Sequence, residues 1–491
     1  MKETSISQKT IMGILTLAFF HFLFLGTEYQ FDDRMALVTD AQGVVQAQNY
    51  ILGVSVLGFL LFPFLNRFMK GKRKNGFGIS GAVLSIIGII GIHQAGTYHG
   101  IMLFGCVTFV ILGIAGSAVY YAAAGLWWKN RCLARFSGCS YAIGILIQYL
   151  YHKIARTVWL QEGILAVCVG IFGWLLWQTF RNGQTGTSWN RQMEISRNGQ
   201  TGISGETAAD TSGDKTMRGC AWLLCGIVAL MTGIFSLLDN AVTLVHAGGS
   251  TDIGEWPRLL LAAGGLLAGI IFDLNERRHM NLIMYCVTLL STICIVILQW
   301  GGPFRAGLVV FYLSAGFFVV YFMTGFLEIS QYMKVPELWA GMGRAVNNLF
   351  AVLTGTGSLA LLSSGNPVGI IIVSLVVFML LSIGIFIYQG LRNRSGQEPT
   401  GKQIKAELPE EEKMNAFISR YDLTDREKEV LEQLLISDDN VQEIADRLFI
   451  SRAALYRHIN NLNEKTDTKS RIGLIQFYYK WKPQTETGQK Q

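Results

Sequence analysis

Three polar side chains near the end of the chain, Tyr456, Arg457 and Asn460, have the types and spacing of a helix surface that could form hydrogen bonds to a polar partner. Over residues 452–464, apolar side chains recur at spacings of four and three, which predicts the buried face of a helix: Leu455, Ile459 and Leu462. A step of about 100 degrees per residue turns Arg457 and Asn460 away from that face and puts Tyr456 at its flank. The predicted helix therefore combines a core-facing stripe with a polar outer surface.

The residues before this helix predict a partner helix and a tight turn that would hold it in place. Thr424 with Glu427 forms one capping box, and Asn440 with Glu443 forms a second. After a turn of about three residues, Ser451 can cap the helix that has the polar surface. Two helices joined in this way are typical of helix-turn-helix geometry, in which the second helix enters a major groove.

Several separately placed motifs in this region resemble the LuxR-type helix-turn-helix domain. They occur in order and comprise Leu423-Thr424-x-Arg426-Glu427-x-Glu429-Val430-Leu431, Glu443-Ile444-Ala445-x-x-Leu448-Phe449-Ile450-Ser451, His458, and Lys469-Ser470-Arg471. The resemblance implies a four-helix domain that binds double-stranded DNA, with base contacts from Tyr456, Arg457 and Asn460. It also implies DNA-backbone contacts from a set of basic and hydroxyl side chains: Arg452, Lys465, Lys469, Ser470 and Arg471. Such a domain is expected to act as a homodimer on paired half-sites.

The charge distribution of this region agrees with DNA binding. Residues 416–451 have four basic and nine acidic side chains, whereas residues 452–482 have seven basic and two acidic ones. The positive half contains the predicted recognition helix and would face phosphate groups. A solvated helical face is the alternative interpretation of the same charges.

The rest of the chain has the composition of a membrane protein. Hydrophobic residues make up 51% of the sequence and charged residues only 15%. A bilayer crossing needs about 20 apolar residues, and twelve runs approach or exceed that length: 10–27, 43–65, 77–95, 100–123, 137–152, 158–180, 219–246, 256–274, 280–299, 306–328, 338–362 and 367–391. The sequence thus predicts an all-α protein with six spans on each side of a polar insert.

These features predict six segments along the chain. They are a six-span half at 1–180, a flexible loop at 181–217, a second six-span half at 218–391, a linker at 392–415, the helix-turn-helix domain at 416–482 and a disordered tail at 483–491. Pro409 followed by Glu410 suits the first turn of an extra helix that extends towards Tyr421.

The basic residues of the loops predict the orientation in the membrane. Nineteen Lys and Arg residues fall on one predicted side of the spans and five on the other. The positive-inside rule puts the richer side, and with it both termini, in the cytoplasm. We therefore expect a multi-pass protein of a bacterial inner membrane whose DNA-binding domain lies in the compartment that holds the chromosome.

The six-plus-six layout resembles the major facilitator superfamily, which is built from two parallel halves. One motif supports the resemblance: Gly269-x-x-x-Asp273-x-x-x-Arg277-Arg278 follows span eight. In that superfamily the motif steadies the cytoplasmic closure of the halves, so the resemblance implies this role for Asp273, Arg277 and Arg278. Plain positive-inside charge is the alternative for the two arginines. A gate salt bridge between Glu328 and Arg344 is a further hypothesis, with solvated helix ends as its alternative.

Polar residues within spans mark candidate ligand contacts, because they are costly in a membrane. The resembled fold lines its central cavity with spans one, four, seven and ten, which implies a small-molecule site with these members: Glu28, Asp239, Asn240, Tyr120, Tyr121, Tyr312 and Tyr321. The alternatives are a hydrated outer loop for Glu28 and interfacial or packing roles for the tyrosines. We interpret His21 as a packing residue.

No arrangement typical of catalysis or metal binding occurs in the sequence. It lacks a phosphate-binding Gly-x-x-x-x-Gly-Lys, a His-Glu-x-x-His and a Gly-x-Ser-x-Gly. We therefore expect neither an enzyme nor a bound cofactor or metal. The leading hypothesis is a membrane-embedded one-component transcriptional regulator with a small-molecule sensor in the bundle. A solute transporter with a regulatory tail is the second, and a tail that binds protein rather than DNA is the third.

Overall fold

The structure is a computed structural model that describes residues 8–69, 72–127, 130–182, 209–247, 256–396, 410–436, 440–468 and 470–481. The chain forms two compact units, Met1–Gly396 and Gln397–Gln491. Each unit is described by itself below.

The first unit is a bundle of twelve long helices among the described residues. They are α1 Gln8–Met35, α2 Ala41–Phe68, α3 Lys72–Gln94, α4 Tyr98–Trp127, α5 Leu133–Ile154, α6 Val158–Asn182, α7 Ala209–Ala247, α8 Pro257–Phe272, α9 Met280–Gln299, α10 Phe304–Ile329, α11 Met342–Ser363 and α12 Pro367–Gly396. Each coincides with one of the twelve predicted apolar runs. The all-α prediction is confirmed for the described part of the chain.

The composition and exposure of these helices fit a lipid environment. Ten of the described helices are long and apolar enough to cross a membrane; α8, with 16 residues, is a shorter apolar helix, and α5 is not among the ten. Large apolar side chains of α12 lie exposed along its length: Val368, Ile372, Val373, Leu375, Val376, Met379, Leu380 and Ile383. Exposed apolar surface on this scale is stable in a bilayer and unfavourable in water.

The two halves of the bundle meet along α5 with α8 and along α2 with α11. At the first crossing the backbones touch directly, because a Cβ on Gly138 would overlap the carbonyl oxygen of Gly265 and lie 3.0 Å from the Cα of Gly269. Small residues are what allow helices to approach this closely in membranes. This contact fixes the distance between the halves.

Two predicted segment boundaries differ from the structure. Helix α7 begins at Ala209, inside the predicted flexible loop 181–217, and α12 continues to Gly396, inside the predicted linker 392–415. In both cases the helix continues past the apolar run that predicted it, since polar residues can also extend a helix beyond the hydrocarbon region. Residues 183–208, 397–409 and the tail 483–491 lie outside the described residues.

Within residues 410–436, 440–468 and 470–481, the second unit has five helices around its own core. They are α13 Glu410–Tyr421, α14 Asp425–Ile436, α15 Val441–Arg447, α16 Arg452–Thr466 and α17 Arg471–Lys480. The extra helix predicted after Pro409 is therefore present as α13. Its core contains apolar side chains from all five helices: Phe417, Leu423, Val430, Leu431, Leu434, Ile444, Leu455, Ile459, Leu462, Leu474 and Tyr478.

The predicted caps of this unit are confirmed. The backbone N–H of Thr424 donates to Glu427 Oε2 at 2.9 Å, and the N–H of Glu427 donates to Thr424 Oγ1 at 3.4 Å. Asn440 and Glu443 exchange the same pair of bonds at 3.1 and 3.0 Å. Ser451 accepts from the N–H of Ala454 at 3.2 Å and so starts α16. Local hydrogen bonds thus define where each helix begins.

Candidate DNA-binding surface and interior polar sites

Helix α16 presents the predicted base-contacting residues to solvent. Leu455, Ile459 and Leu462 are buried in the core of the unit, which leaves three other side chains on exposed positions of the same helix: Tyr456, Arg457 and Asn460. The periodicity predicted this division correctly. The surface therefore offers a guanidinium, an amide and a phenol, groups that can hydrogen-bond to base edges in a major groove.

Arg452 lies one turn before Tyr456, and its guanidinium carbon lies over the Tyr456 ring at 5.8 Å from the centroid. A cation–π contact of this kind does not itself use the arginine N–H groups as hydrogen-bond donors. Arg452 can therefore still donate to a phosphate oxygen from this position. Arg452, which is predicted to contact the DNA backbone, and Tyr456, which is predicted to contact a base, therefore contact each other on the helix surface.

The turn between α15 and α16 contains an unusual residue. Phe449 adopts a left-handed backbone conformation with φ of 55°, and its side chain is 94% exposed. The N–H of Ile450 donates to the carbonyl of Ala445 at 3.0 Å, which closes the turn. Glycine is the usual residue for such a conformation, and no glycine occurs in this turn to indicate it.

The residues predicted to contact the DNA backbone have different surroundings. Lys465 Nζ donates to Glu427 Oε2 and to the carbonyl oxygen of Asp422, both at 2.7 Å. Two of its three N–H donors are therefore used in hydrogen bonds within the domain. The Ser470 hydroxyl accepts from the N–H of Gly473 at 3.1 Å and caps α17. Arg471 follows at the first position of that helix. Lys469 lies outside the described residues, and the DNA-backbone roles of all four stay predictions.

Glu427, the carboxylate that accepts from Lys465, is buried, and 3% of the residue is exposed. Burial alone raises its pKa, but the hydrogen bonds from Lys465 and Thr424 outweigh burial and hold the pKa below its ordinary value. The carboxylate is therefore ionised at neutral pH and ties α14 to the last turn of α16.

In the first unit, the predicted signature residue Asp273 joins the two halves. Its carboxylate accepts from the backbone N–H groups of Ala134 at 3.0 Å and Arg135 at 2.8 Å, which are the second and third residues of α5. Arg277 Nη1 approaches the same carboxylate at 3.4 Å and donates to the carbonyl oxygen of Arg131 at 3.2 Å. Arg278 is exposed. A residue of the second half thus caps a helix of the first half.

Glu328 extends this arrangement with two arginines. Arg277 Nε lies 3.5 Å from Glu328 Oε2, and Arg392 Nη2 donates to Glu328 Oε1 at 3.1 Å. We name Asp273, Arg277, Glu328 and Arg392 the closure cluster. The predicted salt bridge between Glu328 and Arg344 is wrong, because the partners of Glu328 are Arg277, in the segment between α8 and α9, and Arg392 of α12.

Arg344 instead lies in the interior of the bundle, between aromatic rings of both halves. Its side chain is 7% exposed, and its Cζ is 5.2 Å from the ring centroid of Phe24 and 5.7 Å from that of Phe322. Neither Nε nor Nη2 has a hydrogen-bond partner among the described residues.

Two of the predicted ligand residues are acidic and belong to helices of opposite halves. Glu28 of α1 is half-buried and accepts from Gln48 Nε2 at 3.0 Å, while Asp239 of α7 is exposed. The two carboxylates are close enough to interact electrostatically, and Glu28 also interacts with Arg344. The structure therefore brings Glu28, Asp239 and Arg344, which was predicted as a gate residue rather than a ligand contact, into one region between the halves.

The remaining predicted ligand residues are one asparagine and four tyrosines, and each contacts neighbouring side chains of the bundle. Asn240 donates to Ser358 and to the carbonyl of Gly355, and Tyr321 donates to Asn281 Oδ1 at 3.0 Å, so both join neighbouring helices. Two further tyrosines pack against aromatic neighbours: Tyr121 on Phe62 and Tyr312 on Phe311. Tyr120 is 2% exposed and packs edge-on against Phe20 and His21. Among the described residues, no group of three or more His, Cys, Asp and Glu side chains could hold a metal ion.

The geometry of the second unit is that of a DNA-binding helix-turn-helix domain of bacterial regulatory proteins, and comparison with known proteins gives the same class. Residues 422–478 match the family described as bacterial regulatory proteins, luxR family. Spore germination protein GerE of Bacillus subtilis (strain 168) is 44% identical over 59 residues, which are 12% of this chain and 78% of that protein. Through this domain, the chain belongs to the LuxR family.

The first unit is similar to solved transporter structures. A mutant peptide transporter POT in complex with sulfate superposes with a TM-score of 0.52 at 11% identity, covering 80% of this chain and 97% of that one. An auto-inhibited POT-family peptide transporter gives 0.51 at 13% identity, covering 79% and 97%. The likeness defines a fold of the major-facilitator type. The protein is a LuxR-type DNA-binding domain fused to a transporter-like, multi-span membrane domain.

Proposed function

We propose that this protein is a bacterial one-component transcriptional regulator in which a small molecule bound by the membrane bundle controls DNA binding. The observation that supports this most directly is the fusion itself: one chain combines a DNA-binding domain, with its recognition helix exposed, and a transporter-like bundle with unpartnered polar groups inside. The proposal includes an inner-membrane location with both termini in the cytoplasm, and no enzymatic activity.

Control of transcription requires that the ligand prefer one conformation of the bundle. A ligand that binds two conformations equally shifts nothing, however tightly it binds. The two halves meet at the α5–α8 crossing, so a change in their relative position would alter the contacts of Asp273 and Arg277 at the start of α5. Arg277 also contacts Glu328, which pairs with Arg392 of α12, so the change could reach α12 through the closure cluster. Helix α12 is the last one before the DNA-binding unit along the chain, and release, orientation or pairing of that unit into a homodimer would be the output.

Chromatin capture of the full-length protein tests the DNA-binding part of this proposal. Wild type should enrich particular promoter regions, and Arg457→Ala should lower that enrichment at least about fivefold, since one base-reading arginine contributes about 1–3 kcal/mol. Glu464→Gln, an exposed change on the same helix, is the matched control and should retain it. Equal enrichment by wild type and Arg457→Ala would contradict the proposal.

A reporter gene behind an enriched promoter tests the regulatory part. Expression should respond to extracts of the growth medium in cells with wild type and not in cells with Arg457→Ala. A periplasmic reporter fused after residue 482 should stay inactive, and an active fusion would contradict the orientation.

A second candidate function is solute transport, with the tail as a regulatory attachment. The closure cluster supports it, because a bridge between the halves near the start of α5 is what alternating access would open and close. Proteoliposomes containing residues 1–396 should then accumulate a solute from a defined metabolite mixture. Accumulation favours the transporter, and its absence together with a responding reporter favours the regulator.

A further inference from the structure

The interior of the bundle contains a group of polar atoms whose hydrogen-bonding capacity is unused. His21 of α1 is 0% exposed, and neither ring nitrogen has a partner among the described residues. The same holds for Tyr120 Oη of α4 and for Nε and Nη2 of Arg344 of α11. Together with Phe24 and Phe322 we name these residues the Arg344 cluster. Unpaired polar groups at this depth are rare in proteins, because burying them without a partner costs free energy.

These residues also lie near one another. The His21 and Tyr120 ring centroids are 6.2 Å apart, the Tyr120 hydroxyl lies near hydrogen-bonding distance of the Arg344 guanidinium, and His21 also interacts electrostatically with Arg344. Helices α1 and α4 belong to the first half, and α10 and α11 to the second. The Arg344 cluster therefore bridges the two halves.

The position of the guanidinium favours one kind of partner. Phe24 and Phe322 both lie against the guanidinium, and such ring contacts leave its N–H groups available for another partner. An arginine held in this way is well suited to bind the two oxygens of a carboxylate or phosphate. No carboxylate forms an ion pair with Arg344 among the described residues. Glu28 interacts with Arg344 electrostatically, but its carboxylate accepts a hydrogen bond from Gln48.

We propose that the Arg344 cluster binds an oxyanion group of a small-molecule ligand. The guanidinium of Arg344 would form the bidentate contact, and Tyr120 Oη and a ring N–H of His21 would donate further hydrogen bonds. This inference rests on the proposed sensor function and gives its ligand a chemical class. Because both halves supply donors, the oxyanion would stabilise the conformation in which they converge.

Thermal unfolding of the full-length protein in detergent tests the proposal directly. Propionate and inorganic phosphate at millimolar concentration are the probes, and uncharged propionamide is the control. At least one anion should raise the Tm of wild type, propionamide should not, and Arg344→Met should abolish the shift. The anion that acts distinguishes a carboxylate ligand from a phosphate. The absence of any anion shift, or an equal shift in Arg344→Met, would overturn the proposal.

The same variant gives a test that needs no ligand. A buried arginine without a paired carboxylate destabilises the unoccupied protein, so Arg344→Met should raise its Tm by about 2 °C or more. Arg277→Met is the matched control, since Arg277 is equally buried but paired with Asp273 and Glu328, and it should lower the Tm. If Arg344→Met lowers the Tm as Arg277→Met does, Arg344 is structural and the proposal fails.

These measurements also separate this inference from the proposed function. An anion-dependent Tm shift combined with a promoter that never responds would retain the oxyanion site and remove the regulatory role. A responding promoter without any anion shift would retain the regulator and remove the site.

Discussion

Replacing Glu427 by glutamine isolates the contribution of one buried charge to the DNA-binding domain. Its carboxylate accepts from the N–H of Thr424 at 2.9 Å and from Lys465 Nζ at 2.7 Å, and so connects the start of α14 to the end of α16. Glutamine has nearly the same shape and can still accept from Thr424. The variant Glu427→Gln therefore removes the charge and little else.

The size of the effect follows from the exposure of the two partners. A hydrogen bond to a charged group contributes about 1.5–3 kcal/mol. Because the Lys465 side chain is 33% exposed, solvent screening reduces the expected loss in free energy of unfolding to about 1–2 kcal/mol at neutral pH.

The same contact predicts a pH dependence of stability. The pKa of Glu427 is lowered on folding, since the hydrogen bonds outweigh the opposing effect of burial. A carboxyl of this kind stabilises the fold fully above its unfolded pKa of about 4.3, and the contribution disappears as the pH falls through the lower folded value. The difference between wild type and Glu427→Gln should therefore be constant between about pH 7 and 5.5 and shrink below about pH 4.

Urea unfolding of residues 397–491, which form a compact unit, measures this difference. Trp481 stacks edge-on against Phe417 at 5.0 Å and provides a fluorescence signal from the core. Glu429→Gln is the control, because Glu429 is exposed and pairs only with the neighbouring Arg426 among the described residues, and it should change stability by less than about 0.5 kcal/mol. A loss that small for Glu427→Gln, or a difference that persists unchanged at about pH 3, would refute the reasoning.

Three further predictions concern the backbone and the closure cluster. Phe449→Gly should stabilise the DNA-binding domain by about 0.5–1 kcal/mol in urea unfolding, because it relieves a left-handed conformation and loses no buried contact; destabilisation would contradict this. Asp273→Asn should lower the Tm of the full-length protein, with a loss of about 2 kcal/mol from weakened bonds to α5 and Arg277, whereas an unchanged Tm would exclude a role in joining the halves. Gly138→Leu should prevent α5 and α8 from packing and reduce the folded yield in size-exclusion chromatography, and a normal yield would contradict the close approach.

Sequence reasoning succeeded where the partners of a residue are its neighbours along the chain. The caps at Thr424, Asn440 and Ser451 depend on residues two or three positions away, so spacing alone identifies them. The apolar stripe of α16 is equally local. The orientation of Tyr456, Arg457 and Asn460 followed from that stripe.

Sequence reasoning failed where the partners come from distant helices. Arg344 was predicted beside Glu328, but its neighbours are Phe24 and Phe322, which no local pattern connects to it. Lys465 was predicted for the DNA backbone, while its ammonium also holds Glu427, a contact between residues far apart in sequence. Phe449 shows a further limit, since the tertiary turn imposes a conformation that its residue type does not favour.

The bonds that Asp273 accepts from the second and third residues of α5 make those amide protons natural isotope-exchange probes. The amide protons of Ala134 and Arg135 are protected only while a residue of the opposite half stays in place, because the first N–H groups of a helix have no partner within it. The rate of their deuterium uptake would therefore report how often the halves separate. The measurement needs no attached probe, no ligand and no knowledge of the target promoter.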